Sequence, residues 1–322
     1  MASYFRYTQP VAVKAAAGQV QAVYDQIAAD FGLVPEPFTL HSPVPGVLAG
    51  VWSIFRETLV CGNRERGEKE SIATAISEGN RCPWCADAHT AMLHATGYHK
   101  SNDPQVEALT GWASESGRAG GHPPPFPLTD APELAGTALT FHFLTRMVTV
   151  FLVERILPEN RLVRGALQRV GGLLFAKRAA TLLPAGESLT LLPPGNLPDE
   201  LGWLAANPTV GGAFGRLQRA IEEAATPFLS NRVRRTIAAH LREWSGEVQP
   251  LSRSWVQPML ADLSGDERVV AQVALLAALA PHQMCEPVVA AFRAVYPGDD
   301  ALVAVAAWGA FAATRRIGGW ME

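Results

Sequence analysis

The sequence predicts an all-α fold. Apolar residues recur at helical spacing along most of the chain, and no stretch alternates apolar and polar residues like a half-buried strand. Several prolines also stand where helices would begin, a position their missing N–H suits. With 322 residues, 48% of them hydrophobic and 18% charged, the chain is long enough for one large domain or two ordinary ones. Two units are expected: residues 1–120, which carry a cysteine motif, and a helical C-terminal region over 130–322.

Val20–Phe31 reads as the first helix, with Val23, Ile27, Ala28 and Phe31 on one face and Gly32 as its stop. Val47–Val60 follows Pro45-Gly46. Lys69–Asn80 and Pro83–Ala95 come next, the second closed by Gly97. A helix from Pro104 has Ser101, Asn102 and Asp103 available for capping. The glycines and prolines of Gly117–Asp130 mark a linker. Pro132–Leu157 reads as a buried helix. Its apolar run Met147–Val153 is bounded by His142, Arg146 and Glu154-Arg155, whereas a membrane span needs about 20 apolar residues. After a proline-rich interruption over Leu183–Pro208, helical patterns cover Ala213–Thr226, Arg232–Trp244, Asp266–Ala280, Pro287–Val295 and Asp300–Arg315. Asp266–Ala294 also reads as a degenerate second repeat of the motif region. Aligning Glu267 with Glu70 puts Leu279, His282 and Glu286 where Cys82, Cys85 and His89 stand, so such a copy lacks the dithiol.

A net charge of −3 gives no reason to expect nucleic acid or an acidic membrane as partner. The first twenty-five residues lack the basic-then-apolar pattern of a secretory signal. Four cysteines are too few for a secreted disulfide framework. The expectation is a cytoplasmic protein with no membrane segment.

The chemistry concentrates in Ser77-Glu-Gly-Asn-Arg-Cys82-Pro83-Trp84-Cys85-Ala-Asp-Ala-His89, preceded by Lys69-Glu70. Cys-x-x-Cys alone serves redox, metal and structural roles alike. Here Pro83 at a first helical position puts Cys82 at the N-cap, where the helix dipole favours a thiolate by up to about 2 kcal/mol. Cys85 and His89 are four apart and stack on one helix face, within reach of a proton transfer. A bare carboxylate beside a thiolate opposes its formation. Glu70 therefore helps only as a proton acceptor in a relay, or by orienting a positive histidine between itself and the sulfur. Two helices meeting near Asn80-Arg81 would bring it back beside His89.

From Lys69-Glu70 to Ala91-Met92, through Ser77, Asn80, Cys82, Cys85 and Ala88-His89, the stretch resembles the alkylhydroperoxidase D-like group of the carboxymuconolactone decarboxylase superfamily. The resemblance extends upstream through Tyr24–Ile27 and Phe31–Phe38, about 100 residues in all. It implies a peroxidase and antioxidant oxidoreductase: Cys85 attacks a hydroperoxide, Cys82 donates a proton and closes a redox-active disulfide, and His89 and Glu70 relay protons. It also implies an external dithiol or disulfide-reductase partner, no cofactor, and a homo-oligomer. Trp84 stands where the well-studied hydroperoxidases carry a further histidine. The dithiol argues against lactone decarboxylation, which does not use one. Helix geometry alone favours Cys82 as the more acidic thiol, whereas the histidine and the resemblance favour Cys85.

Two alternatives stay open. One is a non-peroxidatic redox sensor. The other is a structural zinc site on Cys82, Cys85 and His89, with Cys61, His94 or Glu70 as a fourth ligand. Cys61 and Cys285 read as small core residues. His142 with Arg146 reads as a satisfied buried pair, and Arg232, Arg234, Arg235 and Arg242 as a solvated helix face. Trp84 fits a pocket wall and a packing role equally.

Overall fold

The computed structural model describes residues 4–98, 103–155, 157–181 and 183–321. Its helices are α1 (Gly18–Phe31), α2 (Glu36–Thr39), α3 (Pro45–Phe55), α4 (Arg66–Gly79), α5 (Pro83–Thr96), α6 (Pro104–Glu115) and α7 (Ala131–Phe151). They continue with α8 (Arg161–Ala179), α9 (Pro208–Ala225), α10 (Asn231–Glu243), α11 (Val256–Met259), α12 (Gly265–Leu279), α13 (Glu286–Arg293) and α14 (Asp299–Gly318). Among the described residues the β pairing amounts to one antiparallel bridge, Phe5 with Leu152. The fold is all-α.

Local signals set most boundaries. Prolines open α3, α5, α6 and α9 in the first turn. Gly32 and Gly97 end α1 and α5 in the left-handed region at φ 80° and 81°. The Asp103 carboxylate caps α6 by accepting from the Gln105 N–H at 2.8 Å; Ser101 and Asn102 lie outside the described residues.

Three of the differences from expectation have a clear physical cause. α3 stops at Phe55 and continues over Arg56–Val60 as a wider π turn, closed by the Cys61 N–H on the Arg56 carbonyl at 2.9 Å. The widening falls on Arg56, fully buried and paired with Asp30, Glu57 and Glu187 at 2.7, 3.2 and 2.7 Å. α7 ends at Phe151 rather than Leu157, because residues 4–6 compete for its backbone. The Arg6 N–H reaches the Phe151 carbonyl and the Val153 N–H reaches the Tyr4 carbonyl, both at 2.9 Å. The third is α8, for which periodicity gave no signal. It carries three glycines, and Gly172 explains one of them. A Cβ there would lie 2.8 Å from the Ala91 carbonyl oxygen and 2.9 Å from the His94 Cβ, so α8 lies flush on α5. Its outer side leaves Leu162, Leu173 and Leu174 exposed.

The core runs through α3, α7, α12 and α14, which are buried over most of their length. By length and composition α7 would cross a bilayer, yet 94% of its most apolar window is buried in protein. Residues 4–9 form a strap across the molecule. Besides the α7 pairing, the Tyr7 hydroxyl donates to the Met284 carbonyl at 3.3 Å, Arg293 donates to the Tyr7 carbonyl at 2.6 Å, and the Gln9 N–H donates to Asp299 at 2.7 Å.

Candidate active site

α4 is buried on nearly every side although it is rich in polar residues. Its hydroxyls are satisfied internally: Ser71, Thr74 and Ser77 donate to carbonyls one turn back at 2.6 to 2.8 Å. Its charges are paired. Lys69, 1% exposed, sits 2.9 Å from Glu133, whose carboxylate also accepts the Asn63 and Arg64 N–H groups. Burial pushes the Lys69 ammonium down against the pull of Glu133. Buried charges are tolerated when paired and hydrogen-bonded in this way.

The corner between α4 and α5 takes three residues. The Arg81 N–H bonds the Glu78 carbonyl at 3.0 Å and the Cys82 N–H bonds the Ser77 carbonyl at 2.9 Å, the pattern of a Schellman motif. Arg81 therefore adopts φ 54°, the one positive φ outside glycine among the described residues. Such a conformation costs roughly 1–2 kcal/mol for a residue with a Cβ. Asn80 fastens the corner to α7, donating to Thr145 at 2.9 Å and to His142 Nδ1 at 3.2 Å. Ser116 donates to the Ala113 carbonyl and so accepts from His142 Nε2 at 2.9 Å. Burial first, then Arg146, holds His142 well below its ordinary pKa, so it is neutral. Arg146 donates to the His142 and Ala278 carbonyls, and the pair is structural.

Cys82 is the N-cap of α5 and Pro83 its first residue. The Cys82 and Cys85 sulfurs are joined as a disulfide with Cα atoms 5.4 Å apart, and both cysteines are buried. The tight corner also folds α5 back along α4, which brings Glu70 and His89 together. Glu70 is fully buried; one carboxylate oxygen lies 2.7 Å from His89 Nδ1, and the other accepts from Arg66 Nε at 2.7 Å. Burial alone would raise the Glu70 carboxyl, but Arg66 and His89 outweigh it and hold it below its ordinary value. An ionised carboxylate there orients the imidazole through Nδ1 and leaves Nε2 for other partners.

Cys85 and His89 line one apolar cavity of about 290 Å³. Its walls come from Phe38, Phe55, Trp84, Phe141, Met92 and Phe175. The His89 ring meets Phe141 edge-on with centroids 4.4 Å apart. Trp84 is thus a pocket wall, backed by Tyr4 at 5.5 Å. Arg66 was readable from its i, i+4 spacing to Glu70, and Phe175 was hidden with α8. The remaining cysteines are elsewhere. Burial pushes the Cys61 thiol up to about 12, which keeps it unreactive, whereas Cys285 is half-buried rather than core. Among the described residues no cluster of three His, Cys, Asp or Glu side chains is placed to hold a metal.

No protein-family model matches the sequence. The chain is 37% identical to the alkyl hydroperoxide reductase Rv2159c of Mycobacterium tuberculosis, over 99% of this chain and 95% of that protein. The all-α fold, the dithiol at a helix N-terminus and this full-length likeness place the chain in one class. It belongs to the alkylhydroperoxidase D-like family of enzymes.

Proposed function

We propose that the protein reduces hydroperoxides through the Cys82–Cys85 dithiol, with His89 and Glu70 moving the protons. The observation that carries this reading is the placement of Cys85 and His89 on one apolar cavity, with Glu70 2.7 Å behind the imidazole. In the reduced protein His89 takes the Cys85 proton. The thiolate attacks the distal peroxide oxygen, the O–O bond breaks, and Cys85 becomes a sulfenic acid. The departing alkoxide takes the Cys82 proton and leaves as an alcohol. The Cys82 thiolate then attacks the Cys85 sulfur, forming the disulfide, while the released hydroxide takes the proton from His89 and leaves as water. One dithiol and one hydroperoxide thus give one disulfide, one alcohol and one water. An external dithiol restores the starting state. The apolar walls favour an organic hydroperoxide over hydrogen peroxide, because alkyl burial contributes about 25 cal/mol per Å².

Peroxide consumption with a dithiol reductant tests the reading. Cys85→Ser should abolish it, and Cys82→Ser should still form a sulfenic acid that dimedone traps. Trapping that survives Cys85→Ser and disappears in Cys82→Ser would reverse the two roles. One tightly held zinc per chain, released only on thiol blocking, would replace the peroxidase with a structural site.

A further inference from the structure

The two cysteines look onto different spaces. Cys85 lines the apolar cavity, whereas Cys82 lines a separate hollow of about 380 Å³ bounded by the end of α4, the start of α5, the segment after α7, and α8. The hollow is charged. Arg81, Arg155 and Arg164 line it, outnumbering Glu78 and Asp87. Asp87 is 4% exposed. Its Oδ1 accepts from Gln168 Nε2 at 3.0 Å and lies 3.6 Å from Arg164 Nε, while its buried Oδ2 has no hydrogen-bond partner in the protein. A buried carboxylate with an unmet acceptor is costly, so Asp87 is placed to take a further donor. Burial pushes the Asp87 carboxyl up against the opposing pull of Arg164 and Arg155, which suits it to exchange a proton.

We propose that this hollow is where the disulfide is re-reduced, and that it takes a dithiol bearing a carboxylate or another anionic group. The proposal rests on the peroxidase reading for its oxidising half and names the chemistry of the other half. The anion pairs with Arg81, Arg155 and Arg164. The first thiol of the reductant gives its proton to the Asp87 carboxylate and attacks the Cys82 sulfur, so the Cys82–Cys85 bond breaks and Cys85 leaves as a thiolate. The second thiol then attacks the sulfur bound to Cys82. Cys82 leaves and takes the proton held on Asp87, and the second thiol's proton goes to Cys85. The reductant departs as its disulfide and the protein holds two thiols. Substrate and reductant thus approach through different openings and do not compete for one space.

The reducing half can be measured alone. The oxidised protein is mixed with 2,5-dimercaptoadipate, which is anionic, or with dithiothreitol, which is neutral, and thiol formation is followed without peroxide. Arg155→Gln and Arg164→Gln should each slow the anionic dithiol about 10-fold and dithiothreitol less than about 2-fold, the mark of a lost charge contact. Asp87→Asn should slow both dithiols about 10-fold or more, since both need the proton acceptor. Equal losses with the two dithiols in the arginine variants, or none, would overturn the anion site. Unchanged rates in Asp87→Asn would overturn the proton step. Oxidation of the pre-reduced protein by peroxide is followed separately. A wild type that is reduced with this charge preference, yet not reoxidised by peroxide, would refute the peroxidase reading and leave the reductant site standing.

Discussion

The α4–α5 corner and the α12–α13 corner share a plan, a helix with an early glutamate, a break, and a second helix with proline in its first turn. They even face each other across a hollow lined by Arg81 and His282. What they bury is opposite. Glu70 is fully enclosed between Arg66 and His89, whereas the Glu267 side chain is 32% exposed and held by Ser230, with Arg232 3.9 Å away. The first corner closes through a left-handed Arg81, while the second spreads over Ala280–Cys285 with a single 3₁₀ turn. α12 is lined by Val270, Ala271, Val273, Ala274 and Leu275, and it touches α14 so closely that a Cβ on Gly309 would collide with the Ala274 carbonyl. One corner is built to hold charge in the interior, the other to fill space. The same local architecture keeps charge in the interior only where its buried polar groups have partners.

Breaking the charge-holding corner should have the largest effect. Glu70→Gln keeps size and hydrogen-bonding capacity, so the helix should fold while peroxide reduction slows by about 10- to 10⁴-fold, the range of general acid–base effects. An unchanged rate in a stable variant would remove Glu70 from the relay. Stability gives an independent check. Folding holds the Glu70 carboxyl below its ordinary value, so its ionised form stabilises the protein above pH ~4.3, and that contribution is lost as pH falls through the folded value. Urea midpoints of wild type and Glu70→Gln should therefore differ at pH 7 and converge as the pH is lowered below ~4.3.

Dependence of the first corner on its neighbour comes next. Gly172→Val would push α8 off α5 and should cost about 1–3 kcal/mol of stability, the range for overpacking. Amide exchange should rise in α5 and α8 and stay unchanged in α12 and α14. At Arg81 the sign reverses. Glycine would remove roughly 1–2 kcal/mol of left-handed strain, offset by about 0.4–1 kcal/mol of unfolded-chain entropy. Arg81→Gly should therefore raise the urea midpoint by the equivalent of ~0.5–1 kcal/mol. A fall in the midpoint would mean that Arg81 contributes more through its side chain than its backbone strain takes away. The smallest effect belongs to the second corner. Glu267→Gln should change stability by less than about 0.5 kcal/mol and leave peroxide reduction intact. A loss like that of Glu70→Gln would dissolve the contrast between the corners.

Much of the first corner was legible because its signals are local. Cys82 as N-cap, Pro83 as first residue, Gly97 as stop and the return of Glu70 to His89 all follow from short spacings and one tight turn. The walls of the cavity were not, because Phe38, Phe55, Phe141 and Phe175 come from four helices and meet only through packing. α8 carries no periodic signal for a related reason. Glycines at 165, 171 and 172 weaken helix propensity, and at Gly172 that small size serves contact with Ala91 and His94. Its terminal signals were nevertheless present: Asn160 accepts from the Leu162 and Val163 N–H groups, and Lys177 and Arg178 occupy the last turn. With α8 went Arg164 and Gln168, hence the surroundings of Asp87. The end of α7 is equally silent in the sequence, because no periodicity announces that residues 4–6 take over its final carbonyl.

The strap of residues 4–9 has a consequence for how the chain is made. Gln9 is bonded to Asp299 across 290 positions, and Tyr7 to Met284 across 277. A ribosome adding about 5–20 residues per second produces the strap many seconds before these partners exist. Tyr4, which backs the cavity wall at Trp84, is held by the same strap. Residues 7–9 of the strap are therefore fastened only after Asp299 has emerged, whereas Tyr4, whose carbonyl accepts from the Val153 N–H, can be held as soon as α7 is made.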